Sequence, residues 1–141
     1  MLPSHYLAVR VIHLLVVGAI LGGSAALWLV LRIDGSLAPR VLAWFEAVFW
    51  GLAGLVVFTG LGNLVTAGVP VTGTERGTAF ALKLGCILLL AFASLVRTTA
   101  VFRLTRGGSD GRHVRLRWLY ALTAWGSVVI VSLAGVLAHG Y

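Results

Sequence analysis

The chain has 141 residues, of which 60% are hydrophobic and 11% are charged, and its mean hydropathy is +1.02. A soluble domain of this size does not have so apolar a composition, so lipid is the expected surrounding and no second, soluble domain fits. The formal charge is +7, but the basic residues concentrate at helix ends and in one loop, as in membrane proteins generally, and we expect no nucleic-acid binding.

Four long apolar runs follow one another along the chain, separated by short polar stretches. They cover about residues 9–31, 41–67, 78–104 and 116–138. Each has at least the roughly 20 residues that a helix needs to cross a bilayer. The first run is longer than the core of a signal peptide and lacks an obvious cleavage site, so we expect it to be retained. We predict an all-α, integral membrane four-helix antiparallel bundle, forming a single transmembrane domain over residues 1–141.

Basic residues are distributed unequally between the two ends of the predicted bundle. The end with the first and third connections has Arg32, Arg40, Arg97, Arg103, Arg106, Arg112, Arg115 and Arg117. The other end has Arg10, Arg76 and Lys83. Under the positive-inside rule, both termini are expected on the outer, periplasmic side of the plasma membrane.

Small residues and tryptophans give two indications about packing. Gly18 and Gly22 lie four residues apart, a pattern that lets helix backbones approach each other in lipid. The tryptophans lie toward the arginine-rich end, as an aromatic belt at the membrane interface would. They are Trp28, Trp44, Trp50, Trp118 and Trp125. Neither pattern identifies a function.

Two ionisable residues within the apolar runs lie at matching depth near the arginine-rich end. Glu46 is about five residues into the second run, and Arg97 is about seven residues from the end of the third. Charged groups inside a bilayer are costly unless they are paired. We predict a structural ion pair between Glu46 and Arg97, and a role of Glu46 in proton transfer is the alternative.

A second group of polar residues shares one depth in the outer half of the predicted bundle. It consists of His13, Asn63, Lys83 and Cys86, with His5 and His139 closer to the outer surface. Imidazole and thiolate are ligands suited to copper, and imidazole also suits haem iron. The candidate metal or haem ligands are therefore His13, His139, His5 and Cys86, with Asn63 and Lys83 as polar neighbours.

Each candidate ligand also has a simpler structural interpretation. His5 and His13 are eight residues apart, about 80° around a helix, so they do not form a pair on one helix face. His13 alternatively bonds a backbone carbonyl across a helix interface, and Cys86 is alternatively a small core residue. The sequence contains no catalytic triad, HExxH, CxxC or CxxCH, and no phosphate-binding loop. We therefore do not expect hydrolytic or nucleotide chemistry, and an enzymatic role is not favoured.

Three short motifs resemble the CopD-type copper resistance membrane domain over about residues 10–104. They are His13-Leu14-Leu15 in the first run, Phe45-Glu46 leading to Phe58-Thr59-Gly60-Leu61 in the second, and Ala81-Leu82-Lys83-Leu84 opening the third. The resemblance implies copper handling or uptake at the periplasmic face, with His13 as the functional residue. The chain departs from that family's pattern in lacking a methionine-rich entrance, since Met1 is its only methionine.

A histidine early in the first run and a lysine early in a later one are also similar to the membrane protoporphyrinogen oxidase family, which binds haem. Three functions therefore stay open. The first is a CopD-like copper-handling protein, the second is a b-haem protein with His13 as axial ligand, and the third is a subunit of a larger membrane complex without chemistry of its own. A homo-oligomer is also compatible with the sequence.

Overall fold

The computed structural model describes residues 3–71, 73–107 and 112–139, with side chains in these ranges except those of 3–6, 66–67, 112–113 and 136–139. Within these ranges the chain forms four helices: α1 (Pro3–Ile33), α2 (Pro39–Ala67), α3 (Glu75–Thr105) and α4 (Arg112–His139). All four are long and apolar enough to cross a membrane. The predicted all-α, four-helix membrane architecture is confirmed, and the surrounding that suits these helices is a lipid bilayer.

Local sequence explains where the two central helices begin and end. Pro39 occupies the first turn of α2, where a missing N–H costs nothing. Gly68 ends α2 with a φ of +81°, which glycine adopts without strain, and its N–H donates to the Leu64 carbonyl. Thr74 precedes α3, and its Oγ1 accepts a hydrogen bond of 3.0 Å from the Gly77 N–H. Most helix ends lie a few residues beyond the ends of the predicted apolar runs.

The four helices form a ring in which each contacts the next along the chain, and α4 closes the ring against α1. Among the described residues, the backbones of the diagonal pairs, α1 with α3 and α2 with α4, do not approach each other closely, and α2 and α3 share the least extensive interface of the four. The connections α1–α2 and α3–α4 lie at one end, named here the arginine-rich end. The opposite end, which holds the start of α1, the end of α4 and the α2–α3 connection, is named here the terminal end.

Packing is concentrated toward the arginine-rich end. The core cluster there consists of Leu31, Leu42, Val101, Leu104, Leu116 and Tyr120. Among the described side chains, those buried nearer the terminal end are few, and Val16 and Thr59 are examples. Many large apolar side chains are instead exposed along the helices, as expected for surfaces that face lipid. The terminal half of the bundle is therefore the less tightly packed half.

The predicted packing role of Gly18 and Gly22 is wrong. A Cβ built at either glycine would meet no neighbouring atom within 4 Å, so both face open space. The next residue, Gly23, makes the close contact instead, since a Cβ there would lie 2.8 Å from Cε2 of Phe45. The reason is rotational: one residue turns a helix by about 100°, which moves the contact from Gly22 to its neighbour.

Candidate functional site

A polar cluster lies inside the bundle near the arginine-rich end, formed by Glu46, Arg97, Thr98, Tyr120 and Thr123. Arg97 Nε donates to Glu46 Oε1 at 2.7 Å, and Arg97 Nη2 donates to Glu46 Oε2 at 3.2 Å. Both side chains are almost completely buried. The two residues proposed from their matching depth therefore form a two-pronged ion pair between α2 and α3.

The Glu46 carboxylate of α2 receives hydrogen bonds from two other helices, α3 and α4. Besides Arg97 of α3, the Thr98 hydroxyl donates to Oε2 at 2.5 Å and the Tyr120 hydroxyl of α4 donates to Oε1 at 2.7 Å. A carboxylate has about four lone-pair positions, and four donors occupy them here. These contacts hold the carboxylate in place within the bundle, which favours the structural interpretation of Glu46 over proton transfer.

The Arg97 guanidinium is held by aromatic rings as well as by the carboxylate. Its Cζ lies 4.3 Å from the ring centroid of Phe49, 4.7 Å from that of Tyr120 and 5.8 Å from that of Phe45. Its Nη1 donates to Thr123 Oγ1 at 2.5 Å. Cation–π contacts and a hydroxyl acceptor supply what water would supply to this buried cation. The polar cluster thus joins α2, α3 and α4.

His13 lies in the terminal half and contacts Thr59 across the α1–α2 interface. The distance between His13 Nδ1 and Thr59 Oγ1 is 2.8 Å. The Thr59 hydroxyl has a single hydrogen, which it donates to backbone carbonyls of its own helix, Leu55 O at 2.7 Å and Val56 O at 3.2 Å. The direction of the bond to His13 therefore depends on the tautomer of the ring. With the ring hydrogen on Nδ1, Thr59 accepts and the lone pair is on Nε2.

Three other predicted residues of the terminal half, Lys83, Cys86 and Asn63, lie on different helices from His13. Lys83 of α3 is half-buried. Cys86, one turn further along α3, is a half-buried free thiol. Asn63 of α2 has a buried Oδ1 without a hydrogen-bond partner among the described residues. The side chains of His5 and His139 lie outside the described part of the chain.

The predicted ligands do not form a complete metal site in the part of the chain that the structure describes. No three His, Cys, Asp or Glu side chains there come together as a metal-binding group. His13 on α1 and Cys86 on α3 lie on diagonal helices of the ring. Among the described side chains, His13 and Cys86 therefore stay separate candidate ligands on different helices.

Several residues of these sites were missed in the sequence. They are Thr59, Thr98, Tyr120 and Thr123. With the helix bounds of the structure, two of them lie as far from the shared connections as their partners do. Thr59 lies 20 residues after the start of α2 (59 − 39), as His13 lies 20 residues before the end of α1 (33 − 13). Tyr120 lies eight residues after the start of α4 (120 − 112), as Arg97 lies eight residues before the end of α3 (105 − 97).

Compared with protein-family models, with curated proteins and with solved structures, the chain gives no match. The resemblance to the CopD-type domain therefore stays a prediction, and the functional argument depends on the geometry of the chain itself.

Proposed function

We propose that the protein is a multi-pass plasma-membrane protein that handles copper at its terminal end, which faces the periplasm, with His13 as the principal ligand. The observation that supports this most is the hydrogen bond between His13 Nδ1 and Thr59 Oγ1. Metal-binding histidines are commonly oriented by such a bond from the ring nitrogen that does not bind the metal. With the ring hydrogen on Nδ1, that bond leaves the Nε2 lone pair available to a metal.

Cys86 is the second ligand of this proposal within the bundle. It lies three residues after Lys83 on α3, and residues at this spacing share a helix face. Cys86 lies 11 residues from the start of α3 (86 − 75) and His13 lies 10 residues from the start of α1 (13 − 3), so the two lie at similar depth from the terminal end. An imidazole and a thiolate suit Cu(I). His5 and His139 belong to helix ends at the same end of the bundle and are proposed as outer ligands on the path to His13.

A b-type haem with His13 as axial ligand is the second candidate, and Lys83 is the observation in its favour. A half-buried lysine is a suitable partner for a haem propionate. His139, the candidate for the second axial ligand, does not lie at the same depth as His13. His139 lies 27 residues from the start of α4 (139 − 112) and His13 only 20 from the end of α1 (33 − 13), a difference in depth of about 10 Å at 1.5 Å per residue.

The first experiment is optical and separates the haem candidate from the others. The protein is purified in mild detergent from haem-replete cells, and a dithionite-reduced minus oxidised spectrum is recorded. A Soret band that disappears in His13→Ala would establish haem binding and contradict the copper proposal. A flat spectrum would exclude the haem candidate.

Anaerobic titration with Cu(I) against a chromophoric chelator then tests the copper proposal. We expect about one tightly bound copper per chain, lost in His13→Ala, and an affinity roughly 10- to 100-fold lower in Thr59→Val, which removes the orienting bond. His113→Ala, at the opposite end of the bundle, is the matched control and keeps full affinity. Equal binding by wild type and His13→Ala would overturn the proposal. Absence of both metals would leave the third function, a subunit that co-purifies with a larger membrane complex.

A further inference from the structure

A groove of about 430 Å³ lies between α1 and α4 near the arginine-rich end, away from His13. Its lining residues are Trp28, Arg32, Arg117, Trp118, Ala121 and Trp125. Two of these side chains are cationic, three are large aromatic rings, and the alanine is buried and small. The groove therefore combines a charged part with an apolar part.

The charged part lies at the end of the helices. Arg32 is the penultimate residue of α1, and Arg117 is five residues from the start of α4 (117 − 112). Each guanidinium stacks near a tryptophan of its own helix, Arg32 at 5.6 Å from the Trp28 centroid and Arg117 at 6.0 Å from the Trp118 centroid. No ion pair joins either arginine to a carboxylate of the described residues. Two adjacent cations on neighbouring helices are therefore available to a shared anion.

The apolar part extends from the arginines toward the middle of the bundle. Trp125 lies eight residues beyond Arg117 on α4, a distance of about 12 Å along the helix. Trp118 and Trp125 expose about two thirds of their surface, 66% and 61%. Rings of this kind at the membrane interface line a path from the headgroup layer into the hydrocarbon. A ligand that fits the groove has an anionic head and an apolar tail of at least this length.

We infer that the groove binds one anionic glycerophospholipid, with its phosphate between Arg32 and Arg117 and an acyl chain along Ala121 and Trp125. Basic pockets between membrane helices are suited to anionic headgroups. Arginine stacked on an aromatic ring is held in place for a phosphate, so less side-chain entropy is lost on binding. A free phosphate would use the arginines alone and would leave the exposed tryptophans unused.

Quenching of tryptophan fluorescence by brominated lipids tests this inference. Three of the five tryptophans line the groove, and a Trp44→Phe background removes an exposed one outside it. The probes are brominated phosphatidylglycerol and brominated phosphatidylcholine in mixed micelles. We expect brominated phosphatidylglycerol to reach half-maximal quenching at a roughly tenfold lower lipid fraction than brominated phosphatidylcholine. The reason is that two arginines near a membrane surface each add attraction for an anionic lipid.

The control variants are matched in charge. Arg32→Gln/Arg117→Gln removes the two cations of the groove, whereas Arg40→Gln/Arg106→Gln removes two exposed cations at the same end of the bundle. Preference for phosphatidylglycerol should disappear in the first and persist in the second, with circular dichroism reporting that both remain folded. The number of phosphatidylglycerol molecules retained in native mass spectrometry gives a second readout that does not depend on fluorescence.

Four outcomes would overturn the inference. They are equal quenching by both lipids, equal loss of preference in both double variants, displacement of the lipid by millimolar inorganic phosphate, and quenching that begins only after a co-purifying protein is removed. The third would indicate a free-anion site and the fourth a protein interface.

Discussion

The guanidinium of Arg97 and the carboxylate of Glu46 meet as a two-pronged ion pair inside the bundle, with distances of 2.7 Å and 3.2 Å. This contact joins α2 to α3, the adjacent helices that share the least extensive interface. The Thr98–Glu46 bond and the Trp50–Thr98 bond join the same two helices. Polar contacts therefore replace close backbone packing as the link between α2 and α3.

Removing one member of the ion pair is expected to destabilise the bundle strongly. Glu46→Met or Arg97→Met leaves an uncompensated charge in the interior, which costs about 3 kcal/mol or more in the free energy of unfolding. The double variant Glu46→Met/Arg97→Met leaves no such charge, so it should be more stable than either single variant. Unfolding by titration with sodium dodecyl sulfate in mixed micelles, followed by circular dichroism, measures this.

Arg40→Met is the control for the ion-pair prediction, because Arg40 is exposed near the start of α2. Its free energy of unfolding should differ from wild type by less than about 0.5 kcal/mol. If the decreases in the free energy of unfolding of the two single variants simply add in the double variant, Glu46 and Arg97 do not act as a pair.

The hydroxyl and the ring of Tyr120 are expected to contribute separately to stability. Tyr120→Phe removes the hydrogen bond to Glu46 but keeps the ring against Phe45, where the centroids are 5.6 Å apart. The free energy of unfolding should fall by about 1.5 kcal/mol, as for the loss of a hydrogen bond to a charged group. Tyr120→Leu also removes the ring contacts to Phe45 and Arg97 and should lose about twice as much. Similar stability of the two variants would show that the ring contributes little.

The four helices and the Glu46–Arg97 pair could be predicted because both follow from simple counting. Apolar length identifies a membrane-spanning helix, and a charge inside such a helix needs a partner at the same depth. Equal counts from the shared connection would also have identified Thr59, which lies as far into the second predicted run (59 − 41) as His13 lies from the end of the first (31 − 13). Depth is therefore readable from the sequence wherever the connections are short.

Rotation of the helices could not be predicted in the same way. In a soluble bundle an apolar stripe marks the inner face, but here lipid makes the outer face apolar too, so periodicity gives little information about rotation. Gly22 and Gly23 illustrate this: either suits a helix interface, and only the packed structure shows that Gly23 faces Phe45. The groove between α1 and α4 was missed for the same reason, although its tryptophans and arginines were noted.

Gly23→Ala is expected to destabilise the protein by about 1–3 kcal/mol, because the new methyl group would lie 2.8 Å from Cε2 of Phe45. Phe45 contacts both Tyr120 and Arg97, so the displacement would reach the polar cluster. Gly22→Ala is the control one residue away, where a Cβ meets nothing within 4 Å. Alanine there should be neutral or stabilising by up to about 1 kcal/mol. Equal effects of the two substitutions, measured by detergent unfolding, would contradict the close contact.

The protonation of His13 can be tested without any metal. Because the Thr59 hydroxyl donates its only hydrogen to backbone carbonyls, the neutral His13 ring is expected to carry its hydrogen on Nδ1. Nitrogen-15 NMR of histidine-labelled protein, recorded at a pH where the ring is neutral, distinguishes the two tautomers by the shifts of Nδ1 and Nε2. His13→Asn identifies the His13 signals by their loss.

Thr59→Val completes this test because it keeps the shape of the side chain and removes the acceptor. The His13 signals should then move toward the Nε2–H tautomer, which is the commoner one for a free histidine side chain, while the other histidine signals stay unchanged. A wild-type ring with its hydrogen on Nε2 would mean that Thr59 donates to His13. The lone pair would then face Thr59 instead of a ligand, and the argument for His13 as an oriented metal ligand would fail even if the fold were correct.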